Sequence, residues 1–65
     1  MTYSELESRA SHQTAKAIKT LRIVNGKHIY SYELFIDGKR DCTITQSQFT
    51  KLKLNGVCVW IERII

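Results

Sequence analysis

The sequence predicts an α+β fold: an N-terminal α-helix packed on a small antiparallel sheet of three main strands, in the order α-β-β-α-β. The first residues combine helix-capping signals with apolar residues at helical spacing. Residues 27–36 alternate with the period of a β-strand, and Asn25-Gly26 and Asp37-Gly38 are strong turn signals. At 65 residues the chain has room for one domain, residues 1–65, with a thin core.

The first element is predicted to be a helix that continues to about residues 20–22. Thr2 and Glu5 have the spacing of a capping box. At about 100° per residue, an apolar face extends from Tyr3 to Leu21. The same geometry predicts a separate basic stripe on this helix, formed by Arg9, His12, Lys16 and Lys19.

Asn25-Gly26 allows two interpretations. These residues either end the helix as its C-cap or form a two-residue hairpin turn. The hairpin would pair Ile23 with His28 and Leu21 with Tyr30, so the chain would pass from the helix into a short first strand. A turn followed by a strand is common to both interpretations.

The strand over residues 27–36 should place Tyr30 and Tyr32 on the same face as Leu34 and Ile36. These aliphatic neighbours favour a core position for the two tyrosines over a role in stacking nucleic-acid bases. After the turn at residues 37–38, one buried face requires a register shift. We therefore predict a bulge at Gly38 that sets Cys42 opposite Tyr32 and Ile44 opposite Tyr30.

Residues 45–56 fit two structures. Thr45 with Gln48 is a capping box and Asn55-Gly56 is a helix end, which favours a short helix. The alternation on both sides of Asn55-Gly56 fits a hairpin instead, but the cap at Thr45 and the polar run "TQSQ" favour the helix. In either case "GVCVWIERII" is predicted to be the final strand.

The charge balance predicts an acidic partner. The formal net charge is +4 and the pI is about 9.3, which favours DNA or RNA. The leading hypothesis is a non-catalytic regulator that contacts nucleic acid through the basic helix stripe, with Lys39 and Arg40 at the hairpin tip extending it.

The second face of the predicted sheet suggests a different partner. Ile29 and Phe35 lie there with half of the last strand, and Trp60 is either the largest residue of the core or the anchor of an interface on this face. A homodimer or a larger protein would cover this apolar area, and the second hypothesis is therefore a protein-binding regulator or inhibitor. In size and architecture the chain resembles small stand-alone α+β proteins of phages and other mobile elements, a likeness that assigns no function.

Catalytic, cofactor and metal sites are not predicted. His12, His28, Cys42 and Cys58 lie too far apart for the close ligand pairs of structural zinc sites. The sequence has no phosphate-binding glycine loop and no recognisable catalytic constellation, so we do not expect an enzyme. The N-terminus carries no apolar leader and no segment is long enough to span a membrane, which predicts a cytoplasmic protein with reduced thiols.

Overall fold

The computed structural model describes residues 2–65. The chain forms six elements in this order: α1 (Tyr3–Ala10), β1 (Lys16–Val24), β2 (Lys27–Ile36), β3 (Lys39–Thr43), α2 (Gln46–Leu54) and β4 (Val59–Ile64). The four strands make one sheet in the order β3-β2-β1-β4. The α+β class and the N-terminal helix on a small sheet are confirmed. The sheet is mixed, however, because β4 lies parallel to β1 and the other neighbours are antiparallel.

The structure has one strand more than the sequence predicted. This strand, β1, is formed by residues that the helical spacing assigned to the first helix. α1 begins after Thr2, whose side chain accepts the backbone N–H of Glu5, and it ends at Ala10. Residues 16–24 form β1, in which the β-branched Ile18, Thr20, Ile23 and Val24 suit a pleated surface. The predicted extension to residues 20–22 is therefore wrong. Helical spacing misled here because Ala17 and Ile18 are both buried, on opposite faces of a central strand.

The turn at Asn25-Gly26 has the hairpin geometry. Asn25 and Gly26 both have positive φ, at 52° and 76°, as a type I′ turn requires. The β1–β2 register pairs Ile23 with His28 and Leu21 with Tyr30, which confirms the hairpin interpretation.

A bulge is present in the β2–β3 hairpin, but not at Gly38. Asp37-Gly38 is a plain two-residue turn that sets Ile36 opposite Lys39. The register then shifts at Asp41, so that Cys42 lies opposite Leu34. The predicted partner of Cys42, Tyr32, is therefore wrong by two residues. The predicted face is right, because both partners lie on the same side of β2.

Both helices pack against the same side of the sheet, which we call the inner face. Of the two structures predicted for residues 45–56, the helix is the one observed: Thr45 and Gln48 form the complete capping box at the start of α2. The buried core beneath the helices consists of Leu6, Ala10, Ala15, Ala17, Leu34, Ile44, Phe49 and Leu52. The ring of Tyr32 packs on Phe49 at a centroid distance of 5.5 Å, so this tyrosine is partly buried against the core, on the predicted side of the strand.

The helices cover only the end of the sheet that contains Ala17 and Leu34. The far end of the β1–β2 hairpin projects beyond them, and its side chains from Arg22 to Ser31 are exposed. Tyr30 belongs to this uncovered part of the inner face and is 49% exposed, so its predicted core position is not realised. Within residues 2–65, no helix has the length and apolar character to cross a membrane.

Two leucines of α2 test how much of the stability resides in the core. Leu52 is fully buried, and Leu52→Ala should lower the free energy of unfolding by about 2–5 kcal/mol because it leaves a cavity. A 65-residue domain has about 3–10 kcal/mol in total, so the loss is a large fraction. Urea unfolding followed by circular dichroism measures it.

The matched control is Leu54→Ala, two residues further along the same helix. Leu54 is 77% exposed, so its truncation should change the unfolding free energy by less than about 0.5 kcal/mol. Equal effects of the two substitutions would contradict the described packing of α2.

Candidate nucleic-acid interface

The side of the sheet opposite the helices, which we call the outer face, carries an excess of positive charge. The strand registers place Lys16, Ile18, Thr20, Arg22 and Val24 of β1 on this face. Among the described residues, the charged side chains that share it are the cations Lys16, Arg22, Lys27, Arg40 and Arg63 and the carboxylate Glu33. Cations therefore greatly outnumber carboxylates on a face that the helices leave open.

Four of these cations follow the direction of β1. Lys16 begins the row, Arg63 lies beside Thr20, Arg22 comes next, and Lys27 lies beside Val24 at the hairpin end. At about 3.3 Å per residue the row is roughly 26 Å long. In the part of the chain that the structure describes, no ion pair occupies these four cations. We call them the cation row.

Arg63 is fixed in place by the outer face itself. Its Nε donates to the hydroxyl of Thr20 at 3.0 Å, and Thr20 is buried. This bond holds the guanidinium against the sheet and leaves its terminal N–H groups free of any hydrogen bond among residues 2–65. A guanidinium offers several donors in a fixed plane, so one anchored N–H is compatible with an anion bound by the others.

Arg40 lies at the other edge of the outer face and is engaged with Glu33. Its Nε is 2.7 Å from Glu33 Oε2, and its terminal nitrogen also donates to the Thr43 hydroxyl. Between this pair and Arg22 the outer face has a shallow depression of about 400 Å3. Arg40 and Lys39 are the two hairpin-tip residues predicted for binding. Arg40 lies on the outer face and is paired with Glu33, whereas Lys39 points to the inner side.

The basic stripe predicted on the first helix does not exist as one surface, because the helix ends before most of it. Arg9 lies on α1 and pairs with Asp41 at 3.0 Å, a contact that raises the pKa of the guanidinium. His12 lies in the following turn, where its Nδ1 accepts the backbone N–H of Thr14 at 3.3 Å. Lys16 and Lys19 lie on β1, and an odd spacing along a strand points them to opposite faces.

Lys19 therefore does not belong to the same surface as Lys16. It lies on the inner face, with its ammonium 4.9 Å from the centroid of the Tyr30 ring and 3.8 Å from Glu62. Lys16 alone of the predicted stripe belongs to the cation row. Sequence reasoning missed Arg22, Lys27 and Arg63. A β-strand period for residues 16–24, in place of the helical one, would have placed Arg22 on the same face as Lys16.

The three residues predicted for a protein interface do not share one face either. Ile29 and Phe35 lie on the outer face, as predicted. Trp60 lies on the inner side of β4, because its register partner is Ala17. It is 42% exposed, and the ammonium of Lys53 lies 4.4 Å from the centroid of its ring.

The two cysteines are free and lie at opposite edges of the fold. Cys42 is on β3, and Cys58 immediately precedes β4, with two strands between them. Burial raises the pKa of both thiols, and a hydrogen bond with Asp41 adds to the effect at Cys42. Within residues 2–65, no group of His, Cys, Asp and Glu side chains has the geometry to hold a metal ion.

Comparison with known proteins gives no further assignment. The chain matches no family model, no curated protein and no solved structure. An α+β fold of this kind does not by itself specify a function. The charges and apolar areas of the described surfaces must therefore carry any proposal.

The raised thiol pKa values predict slow chemistry at both cysteines. A smaller thiolate fraction near pH 8 should make alkylation by iodoacetamide slower at Cys42 and Cys58 than in the urea-unfolded chain. Mass spectrometry of time points measures the two rates separately. A folded-state rate equal to the unfolded rate at either cysteine would contradict its described burial.

Proposed function

We propose that this protein is a non-catalytic nucleic-acid-binding protein, and that its outer sheet face lies against the phosphate backbone. The observation that carries the proposal is the segregation of charge: the outer face bears five cations and one carboxylate, and Glu33 is already paired with Arg40. Phosphate contacts by Lys and Arg supply most of the sequence-independent affinity for nucleic acid.

The shape of the cation row supports a polyanion over a small anion. Its four members are spread along roughly 26 Å rather than gathered around one point. At about 3.4 Å of helix axis per phosphate on one strand, that length passes about eight phosphates. A single phosphate or carboxylate would engage only one or two members of the row.

The distribution of aromatic rings favours a duplex over a single strand. Binding to single strands commonly uses exposed aromatic side chains on which bases stack. Tyr30 and Tyr32 lie on the inner face, and Phe35, the aromatic residue of the outer face, is half-buried. We therefore propose contacts to the backbone of duplex DNA or RNA, which has the higher charge density, with little sequence preference.

We further propose a reducing compartment such as the cytoplasm as the site of action. Cys42 and Cys58 are free thiols, and no pairing between them is within reach across the sheet.

A protein-binding regulator or inhibitor is the second candidate function. It is supported by the large apolar side chains that stay exposed on β4 and at the hairpin end, namely Ile23, Val24, Ile29, Val59, Trp60, Ile61 and Ile64. Exposed apolar area of this kind commonly marks an interface.

A charge-reversal experiment tests the nucleic-acid proposal. The double variant Arg22→Glu/Lys27→Glu should bind a labelled mixed-sequence duplex at least about tenfold more weakly than the wild type at low salt. For wild type, four phosphate contacts predict a slope of log K against log salt of about −3.6, and removal of two predicts about −1.8. Fluorescence anisotropy over a salt series measures both quantities.

The matched control is Lys39→Glu/Lys51→Glu, which changes the net charge by the same amount but away from the outer face. It should retain most of the affinity and the wild-type salt slope. Equal losses in the two double variants would indicate a diffuse charge effect. Absence of binding by the wild-type protein at low salt would overturn the proposal.

A further inference from the structure

β4 is an edge strand whose free side is open. The backbone N–H of Ile65 donates to the carbonyl of Leu21 at 3.0 Å, so Ile65 directs its backbone groups toward β1. Because these directions alternate along a strand, Trp60, Glu62 and Ile64 direct their N–H and C=O groups to the free edge. The side chains of β4 are exposed along its whole length.

The opposite edge of the sheet is protected, which makes the exposure of β4 a distinct feature. β3 has five residues, three of them charged, and it carries the bulge at Asp41. Short length, charge and bulges are the usual means of preventing edge-to-edge pairing. β4 has a regular register with β1, and four of its six residues are large and apolar: Val59, Trp60, Ile61 and Ile64.

We propose that the free edge of β4 pairs antiparallel with β4 of a second copy of this chain, forming a twofold-symmetric dimer. Such a dimer would join the two sheets into one of eight strands. The N–H and C=O groups of Trp60 and Glu62 would then find partners in the other copy. The proposal does not depend on nucleic-acid binding.

The charges of β4 select one register for this pairing. A twofold axis can pass through the middle of the strand at Ile61, Glu62 or Arg63. The axis at Glu62 sets two carboxylates directly opposite each other, and the axis at Arg63 does the same with two guanidinium groups. Like charges directly opposite destabilise a strand pair. The axis at Ile61 avoids both and sets Ile61 against the partner's Ile61.

The same register gives a favourable electrostatic contact on the inner face. It places Trp60 opposite the partner's Glu62. The ammonium of Lys53 lies 4.4 Å from the centroid of the Trp60 ring and 3.8 Å from Glu62 of its own chain. Side chains directly opposite each other have Cβ atoms about 4.5–5.5 Å apart, so the partner's Glu62 would arrive beside Lys53. Each lysine would then lie between two carboxylates.

The geometry also has a consequence for the outer faces. A twofold axis at Ile61 runs perpendicular to the sheet, so the two outer faces point to the same side. The two cation rows would then lie on the same face of the joined sheet, with the two β4 strands between them. Dimerisation would thereby strengthen contact with a polyanion, although each monomer carries a complete row.

A proline substitution tests the backbone pairing. Glu62→Pro removes an N–H that points to the free edge, and it leaves the β1–β4 hydrogen bonds intact because those come from Ile61, Arg63 and Ile65. Wild type should be dimeric at about 100 µM by sedimentation equilibrium. Glu62→Pro should weaken the dimer by about tenfold or more, since it removes two symmetry-related hydrogen bonds.

The control is Glu62→Ala, which removes the same carboxylate but keeps the N–H. It should dimerise more tightly than Glu62→Pro, and circular dichroism should show that both variants are folded. A wild-type chain that stays monomeric at about 100 µM would overturn the proposal. Equal dimerisation by the proline and alanine variants would also overturn it, because the contact would then lie elsewhere.

Single-cysteine variants test the register. In a background of Cys42→Ala and Cys58→Ala, we would introduce Ile61→Cys, Glu62→Cys or Arg63→Cys and oxidise the protein. The Ile61 position forms a non-hydrogen-bonded pair with Cα atoms about 4.5 Å apart, within the range for a disulfide. Ile61→Cys should therefore form the disulfide-linked dimer fastest on a non-reducing gel. A faster reaction of Glu62→Cys or Arg63→Cys would overturn the Ile61-centred register.

Discussion

The fold depends on the position of β1 at the centre of the sheet. This strand is hydrogen-bonded to β2 on one side and to β4 on the other, and its two faces have different surroundings. Ala17 points into the core beneath the helices, and Ile18 packs on the outer face. If residues 16–24 were helical, as their apolar spacing also allows, β2 and β4 would have no common neighbour and the sheet could not form.

Small size explains why so much of this sheet is open. Two short helices, α1 and α2, cover the inner face at one end only, and the outer face has no second layer among residues 2–65. A chain of 65 residues buries a modest fraction of its surface. Apolar residues such as Ile23, Val59 and Ile64 therefore remain exposed, and they are available to a partner.

The two proposed contacts use separate parts of this open surface. The cation row lies on the outer face along β1, where phosphates would be bound by side chains. The proposed dimer contact lies at the free edge of β4, where the backbone supplies the hydrogen bonds. Glu62 lies on the inner side of the sheet and Arg22 on the outer, so each contact is made by groups that the other does not use.

The sequence by itself determined the local signals: the cap at Thr2, the capping box at Thr45, the turns at Asn25-Gly26 and Asp37-Gly38, and the faces of β2. These depend on residues close together in the chain. Only the tertiary structure decided that residues 16–24 form a strand, because the buried pair Ala17 and Ile18 fits a helix until neighbours exist on both sides. Because these residues form a strand, Lys16 and Lys19 point to opposite faces of the sheet, and Arg63 lies beside Thr20. Strand pairing joins residues far apart in the chain, so the candidate site could not be assembled from the sequence alone.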